Sequence, residues 1–280
     1  MNRLHETKVK KINSEHNTIV NSKDLTLGEG YFTVIAGPCA VEREDIAVET
    51  AIAVEKAGAK IFRSSLFKPR TSPYTYQGYG LEGIEILRRI KQETSLLLET
   101  EILSSDHIEE LSQEVDIFRV GSRNMDNYEL LKAVGRENKP VILKRNMSAT
   151  LEEFLLAAEY ILSVGNENVI LCERGIRTFE TYTRNTLDIL AIPALKELTH
   201  LPVIVDPSHS TGKSSLVPAA SKAALAAGAD GLIVEVHPNP ANSYSDGHQS
   251  LQISEFEKMM KEIFELAKVL GKKFDIPILT

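Results

Sequence analysis

Four side chains far apart in the chain, Cys39, His209, Glu235 and Asp246, are of types that bind a divalent cation. One thiolate, one imidazole and two carboxylates make a mixed soft and hard donor set. Such a set suits Mn2+, Fe2+, Co2+ or Zn2+ better than Mg2+ or Ca2+. Taken singly, each residue has an ordinary explanation: a small buried cysteine, a loop histidine, two helix-capping carboxylates. Taken together, they act as ligands only if the fold brings them to one place. A second set is basic and comprises Arg63, Lys68, Arg70, Arg123, Lys144 and Arg174. Cations crowded into one space repel each other unless anions fill it. Guanidinium groups offer bidentate contacts to carboxylate and phosphate, and lysine adds a compact charge. Two phosphorylated substrates, one also carrying a carboxylate, meet that demand. The competing explanation pairs these residues with Glu82, Glu99 or Glu173 on a solvated rim, and it is strongest for Arg145.

The elements that would position these groups are legible as a rhythm. Short runs rich in Val and Ile occupy residues 32–36, 60–63, 96–100, 116–120, 141–144, 169–172, 203–205 and 231–236. Between them lie stretches of helical period, among them 46–57, 84–91, 151–162 and 221–227. Gly58, Gly165 and Gly228 stand where helix C-caps are expected, and Pro140 and Pro202 just before strands. Strands apolar on both faces and separated by helices imply a parallel sheet. A series of this length favours closure into an α/β (β/α)8 TIM barrel over an open doubly wound sheet. The dinucleotide fingerprint of the open sheet is missing after the first run, which leads into Gly37-Pro38-Cys39.

Barrel active sites lie in the loops at the C-terminal ends of the strands. Both sets of residues fall there, as do Glu99, Glu101 and the stretch Asp206-Pro207-Ser208-His209. Cys172 sits in an aliphatic run and reads as core. His107 reads as flanking a helix, Gly78, Gly80 and Gly83 as turn glycines, and residues 255–270 as a final packing helix. Residues 1–30 are polar and read as an N-terminal extension, with a possible β-hairpin over 8–20 that turns at 14–17. Residues 31–280 would form the catalytic barrel.

Composition narrows the function classes. A length of 280 residues suits one barrel, typically about 250 residues. A net charge of −7 argues against a general nucleic-acid or polyanion binder, while leaving room for a local basic pocket. No segment approaches the roughly 18 unbroken apolar residues of a membrane span, and residues 1–11 lack a signal-peptide core. Having only Cys39 and Cys172 argues against a disulfide scaffold, and a reducing cytoplasm is the expected compartment.

Read together, Gly37-Pro38-Cys39, Lys68-Pro69-Arg70-Thr71-Ser72, Leu143-Lys144-Arg145 and Cys172-Glu173-Arg174-Gly175 resemble the 3-deoxy-D-arabino-heptulosonate 7-phosphate (DAHP) synthases. So do Asp206-Pro207-Ser208-His209-Ser210, Glu235-Val236-His237-Pro238 and Ser245-Asp246-Gly247 with Gln249-Ser250. The likeness runs from about Tyr31 to the last helix. It is to the type I beta subgroup, which also holds the 3-deoxy-D-manno-octulosonate 8-phosphate (KDO8P) synthases.

The resemblance implies a metal-dependent transferase of the shikimate pathway, the route of chorismate and aromatic amino acid biosynthesis. It implies Cys39, His209, Glu235 and Asp246 as ligands of one divalent ion, Mn2+ ahead of Co2+, Fe2+ or Zn2+. It implies Arg63, Arg123, Lys144 and Arg174 around phosphoenolpyruvate, and Lys68, Arg70, Thr71 and Ser72 on D-erythrose 4-phosphate. Lys144 would stabilise charge, and His209 and Glu101 are the candidates for proton transfer, with no choice between them. KDO8P synthases, which use arabinose 5-phosphate, usually carry Lys-Ala-Asn-Arg-Ser where this chain has Lys68-Pro69-Arg70-Thr71-Ser72. A homotetramer or homodimer is implied, as is a chorismate mutase partner. Residues 1–30 are too few for the regulatory domains some relatives carry. Two other readings compete: a Schiff-base aldolase with Lys144 as nucleophile, and a non-catalytic regulatory barrel.

Overall fold

The aliphatic runs form strands, and those strands close on themselves. The computed structural model describes residues 4–70 and 72–274. An antiparallel hairpin, β1 (Ile19–Ser22) and β2 (Leu25–Gly28), precedes the barrel. Eight parallel strands follow: β3 (Thr33–Gly37), β4 (Ile61–Arg63), β5 (Leu97–Glu101), β6 (Ile117–Val120), β7 (Val141–Lys144), β8 (Val169–Glu173), β9 (Val203–Val205) and β10 (Gly231–Glu235). Each pairs with the next, and β10 returns to β3 with Glu235 opposite Gly37. The expected strand bounds hold to within one residue at each end.

The helices are α1 (Glu44–Lys56), α2 (Ile84–Glu93), α3 (Ile108–Glu114), α4 (Tyr128–Gly135), α5 (Leu151–Ser163), α6 (Ala191–Leu198), α7 (Pro207–Thr211), α8 (Val217–Ala226) and α9 (Ile253–Val269). Their local signals are in the sequence. Thr150 and Glu153 form a reciprocal capping box that starts α5. Gly58, Gly165 and Gly228 have φ of 100°, 105° and 100°, the left-handed geometry expected after a helix. His107 precedes α3 and stacks on Phe67 at 4.4 Å. No helix among the described residues is long and apolar enough to cross a membrane.

The core has two parts. The larger packs the outward faces of the strands against the helices. The smaller fills the barrel: Ile35, Ile61, Leu97, Ile117, Ile142, Ile170, Ile204 and Ile233, one from every strand, with Cys172 beside them. Cys172 is fully buried, as its aliphatic surroundings suggest.

Val20, Leu25 and Leu27 of the hairpin belong to this same inner cluster. Thr26 O accepts from Thr33 Oγ1 at the start of β3, and Lys23 pairs with Asp116 just before β6. The hairpin therefore seals the N-terminal end of the barrel. This corrects the expected placement over residues 8–20. A turn does occur near 14–17, where Asn13 Oδ1 accepts from the amides of Glu15 and His16. The segments flanking it form no backbone ladder with each other, although Lys11 Nζ donates to Asn17 Oδ1 at 2.8 Å. Val9 N reaches Glu159 of α5, Lys11 N reaches Leu198 O at the end of α6, and Thr18 N reaches His200 O. A tertiary surface outcompetes the local hairpin for those backbone groups.

Leu27→Ala is therefore expected to destabilise the chain by about 2–5 kcal/mol, the cost of a cavity in a closed core. Denaturant unfolding reads this, with steady-state kinetics near wild type because the hairpin lies at the end opposite the site. A loss below about 0.5 kcal/mol, the level of an ordinary surface change, would show that the hairpin adds nothing to the core.

Candidate active site

Cys39 follows β3, His209 lies in α7 after β9, Glu235 ends β10, and Asp246 lies between β10 and α9. One donor atom from each of the four lies within 4.8 Å of all the others. The local structure explains how. Asp206 caps α7, its Oδ1 accepting from His209 N at 2.8 Å, and Pro207 supplies the pre-formed φ of a first helical residue. Asp206 Oδ2 meets His209 Nδ1 at 2.8 Å, so the ring donates there and turns Nε2 toward the other donors. Gln249 Nε2 donates to Glu235 Oε2 at 2.7 Å. Asp246 itself adopts a left-handed backbone, with φ of 52°.

The electrostatics of this cluster are those of a cation site. Burial pushes the His209 imidazole down to about 4, so the ring is neutral at physiological pH. Its Nε2 then presents a lone pair to Glu235 Oε1, 3.3 Å away. Oε1 is fully buried and accepts no well-directed hydrogen bond among the described residues, although Arg63 Nη2 approaches to 3.1 Å. An acceptor facing an acceptor in a buried site is costly unless a cation lies between them. Burial and the Glu235 carboxylate push the Cys39 thiol up to about 12. Burial opposes ionisation of Asp246, yet the nearby Lys68 ammonium outweighs it and holds this carboxyl well below its usual range. The chemistry of the set thus fits one divalent ion.

Lys68, assigned from the resemblance to the aldose phosphate, directs its amine to the donors. Nζ lies 2.6 Å from Cys39 Sγ and 2.7 Å from Asp246 Oδ2.

Beside the donors opens a cavity of about 560 Å³. Eight cationic residues line it, namely Lys68, Arg70, Arg119, Arg123, Lys144, Arg174, Arg177 and Arg184, against the carboxylates of Glu101 and Asp246. Arg174 is 3% exposed, and its Nε and Nη1 have no hydrogen-bond partner among the described residues. Burial lowers its pKa, the mark of a cation that lacks full compensation. Lys144 pairs with Asp206, and Arg123 Nη1 donates to Pro69 O at 2.7 Å. Arg70 Nε donates to Thr75 Oγ1 at 3.1 Å, and Ser72 is at the rim of the same cavity. Thr71 lies outside the described residues. Arg63 is set apart from the cavity lining: fully buried, it donates through Nη2 to Cys39 O at 3.3 Å. Arg145 also leaves the cavity, pairing with Glu173 at 2.8 Å and Asp188 at 3.0 Å.

Glu101 faces the cavity and accepts from Arg119 Nη1 at 2.9 Å. Burial disfavours its charge, but Arg119, Lys144 and Lys68 outweigh that, and its pKa is lowered. Gly121 gives it room, since a Cβ there would stand 2.0 Å from Glu101 Oε1.

Sequence reasoning missed Arg119, Arg177 and Arg184. Arg119 sits inside an aliphatic strand, and its signal is register: it pairs across from Glu101 and also holds Glu99 at 2.6 Å. Arg177 and Arg184 lie in the long connection between β8 and α6, which carries no periodicity to place them.

Comparisons with known proteins bear on this geometry. The family profile described as the DAHP synthetase I family matches residues 11–270. The phospho-2-dehydro-3-deoxyheptonate aldolase of Thermotoga maritima is 49% identical over 256 residues, which cover 91% of this chain and 76% of the relative. The 2-dehydro-3-deoxyphosphooctonate aldolase of Syntrophotalea carbinolica is 32% identical over 268 residues, 88% of this chain and 95% of the relative. Among solved structures, the Thermotoga maritima DAHP synthase superposes with a TM-score of 0.92 at 47% identity, covering 95% of this chain and 78% of that one. A truncated form of the DAHP synthase from that organism gives 0.88 at 44% identity, covering 95% of this chain and 97% of that one.

Proposed function

The chain belongs to the DAHP synthetase I family, and from that premise we propose how its site works. The chain condenses phosphoenolpyruvate with D-erythrose 4-phosphate and water, giving DAHP and inorganic phosphate, the first step of the shikimate pathway. The observation that carries this reading is the meeting of a four-donor cluster with eight cations at one barrel mouth. Two phosphates and one carboxylate are the anions such a mouth would take.

Cys39, His209, Glu235 and Asp246 would hold one divalent ion, Mn2+ ahead of Co2+, Fe2+ or Zn2+. Such an ion, when bound, supplies Lewis acidity toward a carbonyl oxygen. Arg123, Lys144 and Arg174 take the phosphate and carboxylate of phosphoenolpyruvate and align its C3 with the aldehyde carbon. Arg70, Thr71 and Ser72 take the aldose phosphate. Lys68 joins them once its amine is displaced from Cys39 and Asp246. Arg63 steadies Glu235, its Nη2 lying 3.1 Å from Oε1.

A carbon–carbon bond forms between C3 and the aldehyde carbon, whose oxygen gains a proton. Water adds at C2 and loses a proton. The C2–O bond to phosphate then breaks as the C2 hydroxyl gives its remaining proton to the departing phosphate, leaving the ketone. We assign the proton-accepting role to Glu101, which is ionised and faces the cavity. His209 has one nitrogen committed to Asp206 and the other to the donor cluster.

The Schiff-base alternative requires a free lysine amine, whereas the amine of Lys144 is paired with Asp206. The KDO8P alternative is supported by relatives such as that from Syntrophotalea carbinolica, at lower identity. Steady-state phosphate release with Mn2+ separates the two aldoses. Erythrose 4-phosphate is expected to exceed arabinose 5-phosphate in kcat/KM by at least about tenfold, the scale at which a site tells one extra carbon from none. The reverse order would sink the assignment. Oxygen-18 at the bridging position of phosphoenolpyruvate is expected in the released phosphate, and its retention in the sugar would exclude C–O cleavage.

A further inference from the structure

Glu42 is a buried carboxylate that the chemistry above leaves unused. It lies three residues beyond Cys39 in the β3–α1 connection and is 4% exposed. No lysine or arginine pairs with it in the described residues. Its partners all come from the β10–α9 connection. Oε1 accepts from Ser243 Oγ at 2.7 Å, from Tyr244 N at 2.7 Å and from Ser245 N at 3.2 Å. Oε2 lies 3.3 Å from His237 Nε2, whose other ring nitrogen accepts from Asn239 N at 3.0 Å. That contact fixes His237 as a donor to Glu42. The segment gripped in this way ends one residue before Asp246.

Asp246 has the left-handed backbone that a residue with a Cβ rarely adopts, and such a conformation persists only where its surroundings impose it. Downstream, Gln249 N donates to Asp246 O at 3.1 Å. Upstream, the restraint is the set of donors converging on Glu42. We propose that Glu42 is a positioning residue: it clamps residues 243–245 and so holds Asp246 in the strained conformation that turns its carboxylate to Cys39. One connection then provides a donor directly and sets the direction of another across the closure of the barrel. This inference rests on the metal-centre reading given above.

The test is affinity for Mn2+ and Co2+, measured on the full chain by competition with a chromophoric chelator. Glu42→Gln keeps the volume and turns one acceptor into a donor that cannot serve the same amides. It is expected to weaken the ion by about 10–100-fold, the range for groups that orient a ligand. Phosphoenolpyruvate binding to the metal-free protein, which uses Lys144 and Arg174, stays unchanged. Ser243→Ala removes one donor to Glu42, together with the contacts of Ser243 Oγ with the Ser245 backbone, and leaves the carboxylate. It is expected to move affinity the same way by about threefold, one net hydrogen bond, and serves if the first variant folds poorly.

A double-mutant cycle separates positioning from plain loop stability. In an Asp246→Ala background, Glu42→Gln should cost nothing further in ion affinity, because it acts through the side chain already removed. Full additivity of the two losses, or an unchanged affinity in Glu42→Gln and Ser243→Ala, overturns the inference alone. A wild-type chain that takes up neither ion overturns the metal-centre reading and this inference with it.

Discussion

Cys39→Ala abolishes metal-supported turnover and leaves the barrel folded: this is the expected result with the largest effect. The sulfur is one of four donors gathered within 4.8 Å, and it lies beyond the end of β3 rather than in the strand ladder. Its removal leaves an imidazole and two carboxylates, which bind a divalent ion less tightly. It also frees Lys68 to sit on Asp246 alone. The expected loss in kcat/KM is at least about 10³-fold, beyond the 10–100-fold typical of residues that only support a ligand. The fold should lose little, on the order of 1–2 kcal/mol for one small buried group. The measurement combines turnover with and without chelator, metal content of the purified variant, and denaturant unfolding. Turnover by the variant in excess chelator would remove the ion from the mechanism. Loss of turnover together with loss of cooperative unfolding would mean that Cys39 is a structural residue.

Arg174→Met is expected to cost about 10²–10⁴-fold in kcat/KM, the scale of removing a pre-aimed charge from an anion site. The same change should leave the unliganded protein at least as stable as wild type. Arg174 is buried, two of its nitrogens have no hydrogen-bond partner among the described residues, and desolvation lowers its pKa with only partial compensation from Asp206. Methionine of similar length removes that desolvation cost. Lys144 gives the opposite sign. It is paired with Asp206, and Lys144→Met would strand a fully buried carboxylate beside His209. That variant should be destabilised by about 3–5 kcal/mol, as for one partner lost from a buried ion pair. Unfolding measured without phosphoenolpyruvate or inorganic phosphate reads both. Equal destabilisation by the two substitutions would show that Arg174 is a structural cation and would withdraw it from the substrate site.

The site was legible because barrels put chemistry in one kind of place. Once the aliphatic runs are strands, Cys39, Glu235 and His209 fall at their C-terminal ends whatever the details of packing. The bounds of β7 and β9 follow from Pro140 and Pro202 and from the β-branched residues after them. What pairing decides was less legible. Arg145 and Arg174 have the same context on paper, each one residue past a strand. Only the fold turns one to Glu173 and leaves the other only partly compensated at the cavity. Arg119 was hidden because a charge within an aliphatic run reads as noise until its cross-strand carboxylates are known. Asp206 was visible as a strand-end acid, but its double hold on Lys144 and His209 is a tertiary fact. The hairpin was misplaced because residues 14–17 and Lys23-Asp24 are both plausible turns. The choice between them is made by α6 and by the open end of the barrel, neither of which is local.

The pairing of β10 with β3 has a consequence for the order in which the molecule is made. These are the last and first barrel strands to leave the ribosome; Glu235 ends β10, and the connections beyond the two strands carry Asp246 and Cys39. A nascent chain that has emerged just past β8 already owns Arg123, Lys144 and Arg174, yet lacks three of the four candidate ion donors. Bringing those ends together bears the longest loop-closure entropy of any strand pair in the barrel. An ion bound there acts as a clasp across the junction, and its binding free energy is credited to the last contact to form. Chelation should accordingly loosen the amides of β3 and β10 before those of β6 and β7, a difference that hydrogen exchange resolves strand by strand.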